Sequence, residues 1–246
     1  MKTAAIIPAF DAANTIERVV SETVERFSGL GTVYVIDDGS RDNTRALAEA
    51  AGAVLVVHPQ NRGKGAALRT GFLRAWEDGH VACVTLDADG QHPPEEALRL
   101  AQSELGSDCL VLGIRDLRGA GAPRPNQISN QISNSFLSLF SRRMLHDTQC
   151  GLRRYPLPAV LELGGQDMGY AFEAEVILLA VAAKIPIKEL PIEVLYPQDR
   201  TTHFDSVKDP MRVIRRVLST LQKTRMVSRP SGDARPIVHR HRHSDG

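Results

Sequence analysis

A chain of 246 residues with 42% hydrophobic and 24% charged side chains has an ordinary globular composition and enough material for one large or two small domains. A formal net charge of +1 argues against a general nucleic-acid binder, and the three widely spaced cysteines, Cys83, Cys109 and Cys150, fit a reduced, cytosolic chain rather than a disulfide framework or a zinc site. No apolar run approaches the roughly 18 residues of a bilayer span, and Pro8 interrupts the N-terminal apolar run too early for a signal peptide.

The first 115 residues alternate strand-like and helix-like segments. TAAIIPAF reads as a buried strand, and NTIERVVSETVERF then sets Ile16, Val19, Val20, Val24 and Phe27 on one helical face, with Asn14 and Glu17 at capping spacing. TVYVIDDGS is a second strand, NTRALAEAAG a short helix closed by Gly52, and AVLVVHP a third strand. KGAALRTGFLRAWEDG predicts a helix stopped by Gly79, HVACVTLDADG a fourth strand, PPEEALRLAQSELG a helix that starts with tolerated prolines, and DCLVLGIR a fifth strand. Beyond residue 115 the alternation breaks. RGAGAPRP is a loop, NQISNQISNSFLSLFSRRML a helix, DTQCGLRRYP a turn or strand, YAFEAEVILLAVAAK a helix, and IKELPIEVLYP an edge strand that tolerates Pro191. Residues 206–227 then read as an amphipathic, basic helix, and 228–246 as a disordered tail with almost nothing to bury.

Alternation of this kind predicts an α/β fold: a mostly parallel sheet, Rossmann-like, with helices on both faces and its ligand at the carboxyl ends of the strands. Those ends read PAFD, IDDGS, HPQNRGKG, LDADGQ and GIR, and four of the five carry acids or basic groups.

Asp87 and Asp89 stand one residue apart at the end of the fourth strand. On a continuing strand they would point to opposite faces, but Gly90 and the Pro93-Pro94 pair end it, so both converge on one point. Two carboxylates with the amide of Gln91 suit Mg2+ or Mn2+, which completes its shell from water and substrate phosphates. A lone pair of this kind reads equally well as a solvated turn. The second pair, Asp37-Asp38, on a neighbouring strand favours the metal.

NRGKG lacks the spacing of a P-loop, and GKGAALRTG is not a dinucleotide fingerprint; what survives is a glycine loop that brings Lys64 near a ligand, or a helix start with a solvated lysine. His92 has no partner His or Cys at ligand spacing and is expected to be structural. Arg115, Arg153 and Arg154 are phosphate ligands or surface residues. Glu173 and Glu175, in an apolar segment, need partners if buried, and serve as general bases or as charges at a helix start.

Taken in order, IIPAFDAANTI, VIDDGSRDNT, NRGKGAALRTG, TLDADGQHPPE, GIR, DTQCGLRRY, YAFEAEV, IKELPIEV and RTTHF resemble glycosyltransferase family 2, the inverting enzymes of GT-A fold, and most of all its polyprenyl-phosphate sugar synthases, from about Lys2 to Phe204. The resemblance implies a catalytic domain over 1–205. It implies that Pro8, Phe10, Asp11, Asp37 and Lys64, with Asp87, Ala88 and Arg200, bind a UDP- or GDP-linked sugar. Asp87, Asp89 and Gln91 would hold the Mg2+ or Mn2+, and Arg115, Arg124 and Arg153 the acceptor phosphate. Asp89, Arg115 and Glu175 would lie nearest the chemistry. Two positions depart from the family pattern: Asp11-Ala12 stands where asparagine-glutamate is usual, and His203 where mannose synthases carry lysine, so the donor stays open. The implied acceptor is a polyprenyl phosphate, the implied place the inner face of a membrane, with the basic segment 206–227 as one contact and the apolar half of SNSFLSLFSRRML as another. A hydroxyl acceptor, which requires a base such as Glu175, and a sugar-nucleotide-binding scaffold without turnover are the rival readings.

Overall fold

The computed structural model describes residues 2–195. Over these residues the chain runs β1 (Thr3–Ala9), α1 (Ile16–Arg26), β2 (Val33–Asp37), α2 (Thr44–Ala50), β3 (Val54–Val57), α3 (Lys64–Glu77), β4 (Ala82–Thr85), α4 (Pro94–Gln102), β5 (Leu110–Arg115), α5 (Arg124–Ser141), β6 (Arg153–Pro156), α6 (Leu157–Glu162), α7 (Phe172–Ala182) and β7 (Ile187–Ile192). The strands form one sheet in the order β3-β2-β1-β4-β6-β5-β7. β6 runs antiparallel to both its neighbours, and every other pairing is parallel. The expected α/β architecture is therefore present, with one reversed strand inserted near its centre.

Alternate residues of β1 show why helices must cover both faces. Ala4 and Ile6 join a core with Phe72 of α3 and Ile177 of α7, whereas Ala5 and Ile7 join a second core with Val20 of α1 and Leu100 of α4. A strand apolar on both sides cannot leave either side wet. The segment left open between turn and strand becomes β6, and the short α6 that follows it was not foreseen. β7 lies at the sheet edge, where Pro191 faces Ile114 and is tolerated.

One local expectation is corrected. α1 starts at Ile16 after Thr15, not after Asn14, and no side chain caps its first turn. The Thr15 hydroxyl instead donates to the carbonyl of Ala88 at 2.6 Å, tying the helix start to the loop after β4. The segments 206–227 and 228–246, and Arg200, lie outside the described residues.

The height of α3 above the sheet is set by Gly71, where a Cβ would stand 2.6 Å from Cγ2 of the buried Ile6. Gly71→Ala is expected to lower stability by about 1–2 kcal/mol, the strain of overpacking exceeding the gain in helix propensity, as measured by urea unfolding.

Candidate active site

The register pairs Ala9 with Asp37 and Ile6 with Thr85, so β1, β2 and β4 finish on one edge of the sheet. Beyond β4 the chain carries Asp87 and Asp89 into that edge. Thr85 donates its hydroxyl to the carbonyl of Gly151 at 2.7 Å, which sets the entry to β6 beside the acids. A Cβ on Gly151 would lie 2.4 Å from Oδ2 of Asp87, so bare backbone is required there. The main-chain NH of Gln91 donates to Oδ1 of Asp89 at 2.9 Å, while its carbonyl accepts from the NH of Leu195. Gln91 thus positions Asp89 through its backbone.

Lys64, the first residue of α3, reaches the same point. Its Nζ lies 2.7 Å from Oδ1 of Asp87 and 3.2 Å from Oε2 of Glu173, and 5.8 Å from the centre of the Tyr170 ring. Burial opposes the ammonium charge, but the carboxylates of Asp87 and Glu173 outweigh it, so Lys64 is held protonated well above the usual lysine range. Burial likewise pushes Asp87 up, and Lys64 overrides it and keeps Asp87 below the ordinary carboxylate value. Asp89 has no such partner; burial first, and then the Asp87 charge, raise it to about 6.

The glycine loop that delivers Lys64 is shaped by protein contacts. Gly63 has φ +94, and a Cβ there would stand 2.2 Å from the carbonyl of Met168; a Cβ on Gly65 would stand 2.4 Å from that of Asp167. The buried carboxylate of Asp38 accepts from the NH of Gly63 at 2.7 Å and of Arg62 at 3.0 Å, and sits 2.6 Å from Nδ1 of His58. Facing this loop, Oε2 of Glu175 accepts from the NH groups of Gln166 at 2.9 Å and Asp167 at 2.7 Å. Glu175 therefore holds the 165–169 loop in shape. Of the two α7 glutamates it is Glu173, not Glu175, that reaches Lys64, and its Oε1 is buried without a hydrogen-bond partner. The signal for Glu173 was an acid within an apolar helix, though sequence alone did not tell it from its neighbour.

The other predicted residues divide. Pro8 and Phe10 are half-buried at the β1 end. Asp11, with φ +48, accepts from the NH of Arg41 at 2.8 Å and so closes this loop onto the next. Asp37 is buried, bound by the NH of Ser40 at 3.1 Å and by Nε of Arg45 at 2.5 Å, so the Asp37-Asp38 pair does not converge on one point as Asp87 and Asp89 do. Arg115 makes a two-pronged ion pair with the buried Asp147, at 2.7 and 3.0 Å. Arg124 is exposed at the start of α5. Arg153 is corrected: it is fully buried, and its guanidinium donates to the carbonyls of Cys150, Glu173 and Thr148, which makes it a brace under the site rather than a phosphate ligand. Arg154 is buried on the opposite face, held by the carbonyls of Ser103 and Gly106.

His92 packs inside the protein rather than at its surface. It is buried with Nε2 3.6 Å from Sγ of Cys150 and Nδ1 unpartnered, and burial drives it down to about 4.

The site fits a divalent cation of the kind that borrows ligands. Among the described residues no cluster of three His, Cys, Asp or Glu side chains is placed to hold a metal by itself. Asp87 and Asp89 offer two hard oxygen donors whose mutual repulsion a cation relieves, and the ammonium beside Asp87 shows that positive charge is favoured there. The rest of the shell falls to water and substrate phosphates.

A mostly parallel sheet with one reversed strand and an acidic pair at the carboxyl end of β4 defines a GT-A type of nucleotide-sugar transferase. The model of glycosyl transferase family 2 matches residues 4–159, and the chain belongs to that family. It is 27% identical to the UDP-N-acetylglucosamine–dolichyl-phosphate N-acetylglucosaminyltransferase of Methanococcus voltae, over 87% of this chain and 93% of that one. It is 29% identical to the polyprenol monophosphomannose synthase of Mycolicibacterium smegmatis, over 78% and 76%. The glucosyl-3-phosphoglycerate synthase of Mycobacterium tuberculosis, solved with Mn2+, UDP and glucosyl-3-phosphoglycerate, shares the fold, with a TM-score of 0.67 at 20% identity over 91% of this chain and 79% of that one.

Two predictions follow from the charges. Asp89 is ionised above about pH 6, and ionisation costs native stability as the pH rises from 3.8 to that value. Mn2+ at a hundredfold above its dissociation constant should therefore raise the unfolding midpoint by roughly 5 °C above pH 6, and by progressively less below it. Asp89→Asn should abolish the shift in a thermal scan while unfolding no earlier than the wild type without metal. For His92 the sign is opposite: the unfolded ring takes a proton near 6.5 and the native one near 4, so stability falls as the pH drops through that window. His92→Gln should lose less stability than the wild type over the same range in urea titrations.

Proposed function

We propose that the chain transfers a sugar, with inversion, from a nucleotide-sugar donor to a polyprenyl phosphate at a membrane surface. The observation that carries this reading is how the two α7 glutamates are used. Glu175 is committed to the backbone of the 165–169 loop and Glu173 to Lys64, so neither is poised as the base that a hydroxyl acceptor requires. A phosphate monoester is already ionised near neutral pH and needs no such base. The two relatives named for dolichyl-phosphate and polyprenol acceptors support the same choice.

In this reading the donor diphosphate lies against Asp87, Asp89 and Lys64. Lys64 shares its charge between Asp87 and the diphosphate, and Glu173 keeps that lysine protonated and aimed. A divalent ion, when bound by Asp87 and Asp89, supplies Lewis-acid stabilisation of the departing nucleotide. The Mn2+ or Mg2+ bound by the glucosyl-3-phosphoglycerate synthase supports that assignment. Pro8, Phe10 and the rim formed by Asp11 and Asp37 receive the nucleoside. An acceptor phosphate oxygen, oriented by Arg115 and approached through Arg124, attacks the anomeric carbon from the face opposite the diphosphate; that carbon–oxygen bond forms as the bond to the diphosphate breaks. The donor nucleoside is uridine or guanosine; Arg200, outside the described residues, is a further contact to the donor, and the chain works at the cytoplasmic face of the membrane.

Calorimetry with UDP- and GDP-linked sugars, with and without Mn2+, is expected to show metal-dependent binding of one donor. That sugar should then pass to a short-chain polyprenyl phosphate, giving a product of inverted anomeric configuration by NMR. Asp89→Ala should lower the rate by about 10²–10³-fold. Donor binding without transfer to the phosphate, together with transfer to a sugar hydroxyl, would overturn the acceptor; binding with no transfer to either would make the chain a scaffold.

A further inference from the structure

The loop between α6 and α7 is held at many points for a segment without regular structure. Oε2 of Glu175 binds the NH groups of Gln166 and Asp167, and Oδ1 of Asp167 accepts from the NH of Gly169 at 2.8 Å. The carbonyl of Gly165 accepts from Nη1 of Arg69 at 3.0 Å, and that of Met168 from the NH of Ala66 at 3.2 Å. A loop pinned in this way sets the direction of its side chains. It sends two aromatics opposite ways. Phe172 turns inward, 2% exposed, with its ring centre 6.2 Å from that of Phe72. Tyr170, two residues earlier, is 38% exposed. A single exposed tyrosine needs no explanation by itself, but its place does.

That place is the charged centre of the site. The Tyr170 ring centre lies 5.8 Å from Nζ of Lys64, which is itself 2.7 Å from Asp87 and 3.2 Å from Glu173. This distance is near the outer limit of a cation–π contact, and two carboxylates already hold the ammonium, so covering Lys64 is a minor use of the ring. The ring also belongs to one side of the site. The carbonyl of Glu173, at the start of α7, is bound by Arg153 of β6 at 2.8 Å, and β6 lies across β4 from β1 and β2. In the reading above the nucleoside lies at the ends of β1 and β2. With the diphosphate against Asp87 and Lys64, the sugar on its other end falls on the Tyr170 side.

We propose that Tyr170 binds the sugar of the donor, with the C–H face of the pyranose resting on the phenol ring. The inference rests on the donor reading above and names a residue for the sugar end of that donor. A pyranose is polar around its rim and apolar over its C–H face, so a flat aromatic takes that face out of water while the hydroxyls keep their hydrogen bonds. Such a contact recognises a sugar ring and is blind to the nucleotide. The other apolar group that reaches this site is the first isoprene unit of the acceptor, and position selects against it. Inversion brings the acceptor to the anomeric carbon from the face opposite the diphosphate, whereas Tyr170 stands 5.8 Å from the ammonium on which the diphosphate lies.

The test is calorimetry of the full chain with Mn2+, comparing UDP-glucose, UDP-N-acetylglucosamine and GDP-mannose with UDP and GDP. For the nucleotide that binds, Tyr170→Ala should weaken the sugar-linked form by about tenfold, the loss expected for one ring-sized apolar contact, and leave the diphosphate alone unchanged. Tyr170→Phe keeps the ring and should match the wild type with both ligands. Tyr170→Leu keeps apolar bulk without the flat face and should fall between, which covers the case in which alanine loosens the loop. Equal losses for the sugar-linked form and the bare diphosphate would overturn the proposal and make the ring a support for Lys64. Unchanged affinity for the sugar-linked form would also overturn it, and a raised KM for the polyprenyl phosphate would then assign the ring to the acceptor. Binding of no nucleotide by the wild type would overturn the donor reading itself, and the inference with it.

Discussion

The constraint on which the rest of this site depends is the burial of two like charges at the end of a strand. Asp87 and Asp89 repel each other in a half-desolvated setting where neither is screened as it would be in water, and the protein resolves only half of the conflict. Lys64 answers Asp87 at 2.7 Å, and Asp89 is left raised toward neutrality. A site built this way draws in positive charge.

Placing one ammonium group requires much of the surrounding chain. Lys64 opens α3, whose height is fixed by Gly71 on Ile6 and whose start is fixed by Asp38 gripping the NH groups of Arg62 and Gly63. The glycine loop packs on the 165–169 loop with no room for a Cβ, and that loop is held in turn by Glu175. Arg153, buried in β6, ties the carbonyls of Thr148 and Cys150 to that of Glu173. Several side chains that look like reagents are thus structural ties, each satisfying backbone groups that burial would otherwise leave unpaired. Buried acids and arginines serve here because one charged group can bind several main-chain partners at once.

The reversed strand β6 connects this framework to the long segment between β5 and β6. By entering the sheet antiparallel between β4 and β5, it brings Gly151 against Asp87 and leaves the whole segment between β5 and β6, including α5, at the edge where the parallel strands end. The same insertion places Asp147 against Arg115. The acidic pair and the two ends of the segment that carries α5 therefore meet at the same edge of the sheet.

The sequence by itself determined the layered α/β architecture, because continuous apolar strands alternating with amphipathic helices bury both faces of a parallel sheet in only one way. It also determined the acidic pair at the β4 end, since Gly90 and the two prolines stop the strand where the acids stand. Arg153 and Glu175 were misplaced for a physical reason: a charged side chain reads the same in sequence whether it faces solvent or binds buried carbonyls and amides, and distant chain segments decide which. The place of β6 in the sheet, the pairing of Lys64 with Glu173 rather than Glu175, and the outward turn of Tyr170 beside an inward Phe172 were decided only by tertiary structure. Each depends on contacts between residues far apart in the chain, and no local pattern encodes them.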